Sequence, residues 1–127
     1  MDVRARYLTR IGNRTDLEAM GNQIAQLPEH PLVLGGGSNI LFTKNVDGWV
    51  IKNEISGMEI IREDNDHVYV KTGAGENWHR FVLFCIDNNL GGTENLSLIP
   101  GNTGASPMQN IGAYGVELKD IFYELEA

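Results

Sequence analysis

Apolar residues recur every three or four positions between residues 17 and 27. This spacing places them on one face of a helix: Leu17, Met20, Ile24 and Leu27. Thr15 and Glu18 have the spacing of a capping box, and Pro28 cannot continue a helix. We therefore predict an amphipathic helix that begins at Thr15, ends before Pro28 and covers one side of a sheet.

Strand-like segments lie on both sides of this helix. Residues 32–34, Leu-Val-Leu, form a short apolar run between Pro31 and a glycine cluster, which is typical of a strand buried on both faces in a parallel sheet. The first forty residues are expected to form a strand, a helix and a strand. Residues 49–51 and 68–72 are rich in β-branched and aromatic residues and predict further strands.

A second helix is predicted after residue 76. Asn77 is a favourable N-cap residue, and the apolar residues that follow it share one helical face: Trp78, Phe81, Val82, Cys85 and Ile86. Residues 121–127 resemble a strand and stop without a turn or cap, so we expect a truncation there. Together these segments predict an α+β fold, with a small α/β subdomain at 1–46 and a truncated β-rich subdomain at 47–127.

Charge and composition exclude several classes of function. The 127 residues carry a formal net charge of -7, so the chain lacks the basic excess that binds nucleic acid. No apolar stretch approaches the roughly 20 residues that span a bilayer, and we expect a cytoplasmic protein without a membrane partner. The single cysteine, Cys85, excludes a disulfide. No histidine has a partner at metal-ligand spacing, and the acidic residues 63–66 are typical of a solvated turn, so we predict no metal site.

A glycine-rich loop directly follows the predicted strand at 32–34. Its residues are Gly35, Gly36, Gly37, Ser38 and Asn39. Three glycines let backbone amides approach an anion closely, and the two polar side chains can hydrogen-bond to phosphate or ribose. Ile40 stands where the dinucleotide fingerprint requires its last glycine, and the chain has no P-loop triplet. The loop is compatible with phosphate binding and equally with a simple turn.

A second glycine-rich segment spans residues 100–115. Ser106 and Gln109 have the spacing of a capping box, and Pro107 would occupy the first position of a short helix. The amide end of that helix would point at residues 101–105 and attract an anion such as a pyrophosphate. A capped structural turn would explain Ser106 and Pro107 but leaves the surrounding glycines and amides unexplained, so we favour a ligand contact. A third glycine turn, at 73–75, lets a strand end turn sharply into the predicted helix and is compatible with backbone close to a ligand, although structural need alone would account for it.

Three segments, in this order and spacing, resemble the UDP-N-acetylenolpyruvoylglucosamine reductase family, also called UDP-N-acetylmuramate dehydrogenases. They are residues 34–42 (LGGGSNILF), 73–78 (GAGENW), and 94–101 (ENLSLIPG) leading into 109–115 (QNIGAYG). The resemblance implies a flavoprotein of the vanillyl-alcohol-oxidase fold type, with FAD between a small α/β subdomain and a larger β-rich one. NADPH would reduce FAD, and the enolpyruvyl UDP-sugar would become UDP-N-acetylmuramate for peptidoglycan synthesis.

The resemblance also implies site residues. Residues 35–39 would hold the FAD pyrophosphate, and Tyr114 matches a family tyrosine near the substrate side. Further flavin contacts are implied for a second set: Ile99, Pro100, Gly101, Gly104, Ala105, Ser106, Gln109, Asn110, Ile111, Gly112 and Ala113. The family's proton-donating serine and its carboxylate-binding arginine and glutamate lie downstream of the aligned region. We therefore expect no catalytic residue in this chain, and residues 2–5 match a point just after the family's short leader.

Two other functions stay open at this stage. One is an FAD-dependent oxidase of the same fold group that acts on an alcohol or sugar. The other is a non-catalytic module that binds a nucleotide or supports assembly. For the isolated chain we expect inactivity and weak FAD affinity, because part of the flavin cleft would lie downstream. An exposed sheet edge also predicts self-association, since unpaired strand amides and carbonyls template further pairing.

Overall fold

A computed structural model describes residues 2–127, and a three-stranded parallel sheet forms the first part of the fold. Strands β1 (Ala5–Ile11) and β2 (Leu32–Leu34) lie on either side of β3 (Val46–Asn53). The register places Leu34 beside Lys52. Because the strands are parallel, their carboxyl ends lie at one edge of the sheet. The loop that follows β2 and the end of β3 therefore come together there.

Helix α1 (Arg14–Ile24) covers one face of this sheet, as its amphipathic pattern predicts. Met20 of the helix packs with Ile11 and Ile51 of the sheet in a small buried cluster. Leu17 lies nearer the margin of the helix face and is 41% exposed. The order of strand, helix and strand predicted for the first forty residues is confirmed.

The capping box predicted at the start of α1 is wrong. Asn13 is the N-cap residue, and its Oδ1 accepts a hydrogen bond from the Asp16 amide at 2.9 Å. The Asp16 carboxylate in turn accepts a hydrogen bond from the Gly12 amide at 2.8 Å. Asn13 has the extended backbone that a cap requires, whereas Thr15 is already inside the helix. The helix also ends before Leu27, which lies in the following turn.

Strand β2 is parallel to its neighbour, as predicted, but it is not buried on both faces. It lies at the edge of the sheet, and Val33 is 63% exposed. A three-residue apolar run cannot distinguish an edge strand from a central one, because that depends on where later strands pair. The central strand is β3, which begins at the expected subdomain boundary and pairs with both earlier strands. The first sheet thus extends to Asn53, and the division into two subdomains stays a prediction.

An antiparallel hairpin follows the parallel sheet. Strand β4 (Met58–Glu63) pairs with β5 (Val68–Thr72), with an irregularity in the register between Ile60 and Arg62. The sequence predicts β5 but not β4. Most of β4 is exposed and it has several charged residues, so its apolar pattern is weak and its strand form depends on pairing with β5.

The turn between β4 and β5 is organised by one carboxylate. Asp64 accepts hydrogen bonds from the amides of Asp66 (2.9 Å) and His67 (2.8 Å) and from the Tyr69 hydroxyl (2.9 Å). The Asp66 amide, the Tyr69 hydroxyl and the His67 amide lower the pKa of Asp64 to about 2, because each of these bonds favours the ionised form. The acidic cluster is therefore a solvated turn, as predicted.

Helix α2 (Trp78–Asp87) begins where the sequence predicts. The side chain of Asn77 accepts a hydrogen bond from the Arg80 amide at 3.1 Å and caps the helix. Cys85 is buried, and burial raises the pKa of its thiol, which disfavours the thiolate form. Ile86 was expected on the buried face, but it is 45% exposed. The apolar stripe is narrower than the sequence suggests, and Ile86 falls outside it.

A second core forms around α2. Its most deeply buried members come from the helix and from the loops that follow it: Trp78, Val82, Leu96, Ile111 and Leu118. The indole N–H of Trp78 donates to the Leu96 carbonyl at 2.7 Å, so its polar atom is satisfied inside the core. The short 3₁₀ helices Glu94–Leu96 and Leu118–Asp120 supply two of these core residues.

The strand predicted at residues 121–127 is wrong. This segment forms no strand, because alternating residues need a partner strand and none of the described residues pairs with it. Instead, Glu126 forms ion pairs with Arg14 at 3.0 Å and with Lys71 at 3.2 Å. The tail therefore connects α1 and β5 through exposed side chains.

The described residues form a mixed fold of helices and strands, in agreement with the predicted α+β class. The longest helix among residues 2–127 has 11 residues, and none is long and apolar enough to cross a membrane.

Candidate anion-binding site

The two glycine-rich segments identified in the sequence meet in the folded chain. A Cβ added at Gly36 would lie 2.8 Å from Asn102 Oδ1, and one added at Gly101 would lie 2.9 Å from Ser38 Oγ. The Gln109 amide also donates to Ser38 Oγ at 3.3 Å. Segments more than sixty positions apart therefore share one surface, and a Cβ at Gly36 or Gly101 would require the facing side chain to move.

The first glycine loop occupies the carboxyl edge of the parallel sheet, directly after β2. Gly37 has a φ of +78°, a backbone conformation that favours glycine. Gly35 is half-buried, and its carbonyl accepts a hydrogen bond from the Lys52 ammonium. The remaining loop residues, 36–39, are exposed. The carboxyl edge of parallel strands is where open α/β sheets bind their ligands.

The second glycine segment is held in place by backbone hydrogen bonds. Residues 101–104 run beside residues 74–78, and three bonds join them: Trp78 N to Gly101 O (2.9 Å), Thr103 N to Glu76 O (2.8 Å) and Gly104 N to Ala74 O (3.0 Å). The Thr103 hydroxyl adds a bond to the Gly73 carbonyl at 2.6 Å. These bonds fix the segment without using the side chains that face the first loop.

A further layer of backbone lies beneath residues 73–76. The amides of Gly73 and Gly75 donate to the carbonyls of Gly57 and Ile55, each at 2.8 Å. A Cβ at Gly73 would lie 2.3 Å from the Ile55 oxygen, and one at Gly75 would lie 2.5 Å from the carbonyl carbon of Glu54. Glycine is therefore required at positions 73 and 75 because any side chain there would collide with the backbone of residues 54–56. We call segments 54–57, 73–76 and 101–104 the three-segment stack.

The short helix α3 (Ser106–Gln109) is present, but its predicted capping box is wrong. Ser106 is the first helical residue, and its buried hydroxyl donates to the Thr103 carbonyl at 2.6 Å. The preceding residues already form a 3₁₀ turn, so the backbone before α3 is not extended and gives no side-chain cap. Pro107 is the second helical residue, not the first as predicted, because the helix begins at Ser106, and Gln109 reaches Ser38 instead of a cap.

The other residues of the implied second set differ in their surroundings. Ile111 belongs to the second core and Ile99 packs against it. Asn110 has a φ of +46° and ends α3. The remaining members line the surface to different degrees, half-buried or exposed: Pro100, Gly104, Ala105, Gly112 and Ala113.

Tyr114 lies at the tip of a small hairpin between β6 (Gly112–Ala113) and β7 (Val116–Glu117). Tyr114 and Gly115 have φ angles of +52° and +80°, the signs that a tight two-residue hairpin turn requires. The Tyr114 side chain is 89% exposed. The turn holds this ring outside the core, where a ligand can reach it.

Sequence reasoning missed two residues of this surface, Lys52 and Asn102. Lys52 lies near the end of a strand whose register with β2 could not be known, and Asn102 lay unremarked inside a glycine-rich segment. A basic residue near the end of a parallel strand was the available signal for Lys52.

Within residues 2–127, no group of three histidine, cysteine or acidic side chains could hold a metal ion. The surface therefore offers glycine amides, small polar side chains and one ammonium group, a donor set suited to an anion.

Comparison with known proteins gives a consistent result. The family described as FAD binding domain matches residues 6–127. A protein of Amoebophilus asiaticus is 50% identical over 123 residues, which is 97% of this chain and 36% of the relative. A protein of Burkholderia cenocepacia is 51% identical over 127 residues, which is 98% of this chain and 36% of the relative. A protein of Flavobacterium johnsoniae is 59% identical over 99 residues, which is 78% of this chain and 29% of the relative.

All three relatives carry the name UDP-N-acetylenolpyruvoylglucosamine reductase. The chain spans only about a third of the length of these curated relatives.

Proposed function

The chain belongs to the FAD binding domain family, and we propose that it is the flavin-binding part of a UDP-N-acetylenolpyruvoylglucosamine reductase. The observation that carries the proposal is the meeting of residues 36 and 38 with residues 101, 102 and 109. The names of relatives about 50% identical over nearly the whole chain support the choice of reaction. FAD is the cofactor named by the family.

The residues of the candidate site fit the pyrophosphate of FAD. Gly36 is exposed and has no side chain, so a bound group can approach its backbone closely, whereas Gly101 is buried against Ser38 and Gln109. Ser38, Asn102 and Gln109 supply hydroxyl and amide groups beside these glycines. We propose that residues 35–39 hold the pyrophosphate and that the second set contacts the rest of the cofactor.

The finer fold assignment is also a proposal. We propose a vanillyl-alcohol-oxidase-type arrangement, in which the cofactor lies between a small α/β subdomain and a β-rich one. The pairing of β3 with β1 and β2 supports a boundary after Asn53 instead of after residue 46. The candidate site then lies where the first sheet meets the stack and α3.

We propose that the whole protein uses NADPH to reduce an enolpyruvyl UDP-sugar to UDP-N-acetylmuramate in peptidoglycan synthesis. FAD, when bound, supplies the capacity to accept a hydride and to donate it later. Residues 2–127 contribute binding and orientation, and we assign no catalytic residue among them. Tyr114, held out on its hairpin turn, is proposed to lie on the substrate side.

Binding of FAD to this chain tests the site. Gly101→Ala places a Cβ against Ser38 and Gln109, so we expect it to weaken FAD binding in a calorimetric titration. Gly92→Ala is the matched control, because Gly92 also has a positive φ (+113°) but lies outside both glycine segments. Equal loss of affinity in both variants would remove the reason for placing FAD at the junction. A wild-type chain that bound no FAD would overturn the proposal for this chain.

A chimera tests the reaction. This chain would replace the matching region of the Amoebophilus asiaticus relative, and NADPH oxidation would be followed with and without UDP-N-acetylenolpyruvoylglucosamine. We expect oxidation that depends on the sugar nucleotide. Rapid turnover with oxygen and an alcohol, but none with the sugar nucleotide, would favour an oxidase. A chimera that folds without binding flavin would favour a structural or assembly role.

A further inference from the structure

Lys52 approaches the first glycine loop from the end of β3. Its ammonium group donates a hydrogen bond to the Gly35 carbonyl. The parallel register places it beside Leu34, the residue that immediately precedes the loop. The side chain is half-buried, so it is more constrained than a lysine on an open surface. Lys52 therefore contacts the loop at its first residue, where the chain leaves the sheet.

The positive charge of Lys52 is not matched by a carboxylate. None of the ion pairs formed among residues 2–127 includes Lys52. Arg10, its neighbour across the sheet on β1, is paired with Glu54 at 2.8 Å. The Gly35 carbonyl is neutral, so the hydrogen bond leaves one unit of positive charge at the loop.

Lys44 and Arg80 also form none of these ion pairs, but both are exposed, whereas Lys52 is half-buried. Acidic residues outnumber basic ones by 17 to 10, yet none is placed against this half-buried ammonium. A partly desolvated cation is costly unless an opposite charge is supplied, and its attraction to an anion is less screened than at an open surface. An ammonium has three N–H donors, and the Gly35 carbonyl uses one of them. The remaining donors can serve an anion at the loop.

We propose that Lys52 is a positioning residue that supplies the positive charge complementing the diphosphate of the bound nucleotide cofactor. This inference rests on the proposed function, since it concerns the same glycine loops. The hydrogen bond to Gly35 fixes the turn from β2 into the loop, and the charge of Lys52 attracts the phosphate oxygens. Glycine amides alone would provide partial charges, whereas Lys52 adds a full one.

Calorimetric titration of FAD into variants of the 127-residue chain tests this role. Lys52→Met removes the charge while keeping much of the apolar stem, and we expect FAD affinity to fall about tenfold at low ionic strength. The affinity of this variant should also depend less on salt than that of the wild type. Lys52→Arg keeps the charge and should retain affinity within about threefold. Lys71→Met, on β5, makes the same change of charge at an exposed position and should leave FAD affinity unchanged.

The outcomes separate this inference from the proposed function. A wild-type chain that binds no FAD overturns both. A wild-type chain that binds FAD, with Lys52→Met binding equally well and with the same salt dependence, overturns only the role of Lys52. A merely structural role would lower affinity equally at all ionic strengths, and that result also counts against the proposal. A loss of FAD affinity that is found in Lys52→Met and is absent from Lys52→Arg and Lys71→Met supports the proposal.

Discussion

Replacement of Gly73 with alanine adds one methyl group to the three-segment stack at a point with no room for it. The new Cβ would lie 2.3 Å from the Ile55 oxygen and 2.8 Å from the carbonyl carbons of Ile55 and Ser56. All of these atoms belong to the backbone, so no side-chain rotation relieves the contact. The two segments must therefore move apart.

The expected cost follows from two effects. Overpacking of this kind lowers the free energy of unfolding by about 1–3 kcal/mol. The hydrogen bonds from Gly73 to Gly57 and from Gly75 to Ile55 join the same segments, and loss of one would cost about 1 kcal/mol more. We therefore expect a total loss of about 3 kcal/mol. In a domain of this size, that lowers the thermal midpoint by roughly 10 °C.

Urea unfolding followed by tryptophan fluorescence measures this difference, because Trp78 is buried close to the stack. Gly91→Ala is the matched control, since a Cβ at Gly91 meets no atom within 4 Å. We expect the control to stay within about 0.5 kcal/mol of the wild type. If Gly73→Ala also stayed within that range, the argument that the stack requires glycine at position 73 would be refuted.

Three further predictions concern stability. Leu96→Ala should lower the free energy of unfolding by about 2–5 kcal/mol in urea titrations, because Leu96 is fully buried; a loss below about 1 kcal/mol would contradict this. Asn77→Ala should lower the free energy of unfolding by about 1 kcal/mol, because it removes the cap of α2. Asn77→Asp should retain most of this stabilisation, and thermal unfolding of both variants would reveal the difference. The folded-state pKa of Asp64 is about 2 against an ordinary value of 3.8, so its stabilising contribution is present above pH 3.8 and is lost as the pH falls towards 2. Asp64→Asn should therefore make the urea midpoint less dependent on pH in that interval, and an unchanged dependence would exclude Asp64 as a source of acid sensitivity.

Local sequence signals were sufficient where neighbouring residues decide the structure. The cap at Asn77 and the face containing Trp78 and Val82 follow from spacing alone, and α2 forms as predicted. The two glycine segments were also identifiable from the sequence, because clustered glycines let a ligand or another segment approach the backbone closely. Their meeting at Ser38 required the fold, since the contact joins residues more than sixty positions apart.

Sequence patterns predicted the wrong structure where contacts between distant residues decide whether a segment becomes a strand, a turn or a cap. Residues 121–127 look like a strand, but they have no partner strand among the described residues. The exposed strand Met58–Glu63 has a weak pattern and is a strand because β5 pairs with it. Serine favours the N-cap position, yet Ser106 follows a 3₁₀ turn and its hydroxyl donates to the Thr103 carbonyl instead of capping the helix. Lys52 has no local signal beyond its strand, because its role depends on a register set by the whole sheet.

The three-segment stack also determines which kinds of sequence change the chain can tolerate. Its segments are joined mainly by backbone hydrogen bonds, so the number of residues in each segment cannot change. One inserted or deleted residue in 54–57, 73–76 or 101–104 would shift every later hydrogen bond in that layer and displace the second glycine segment from the first. Peptide insertions for protein engineering are better placed in the exposed turn at 87–89, which lies outside the candidate site. Divergent relatives should accordingly differ in length at such turns and keep the length of the stack.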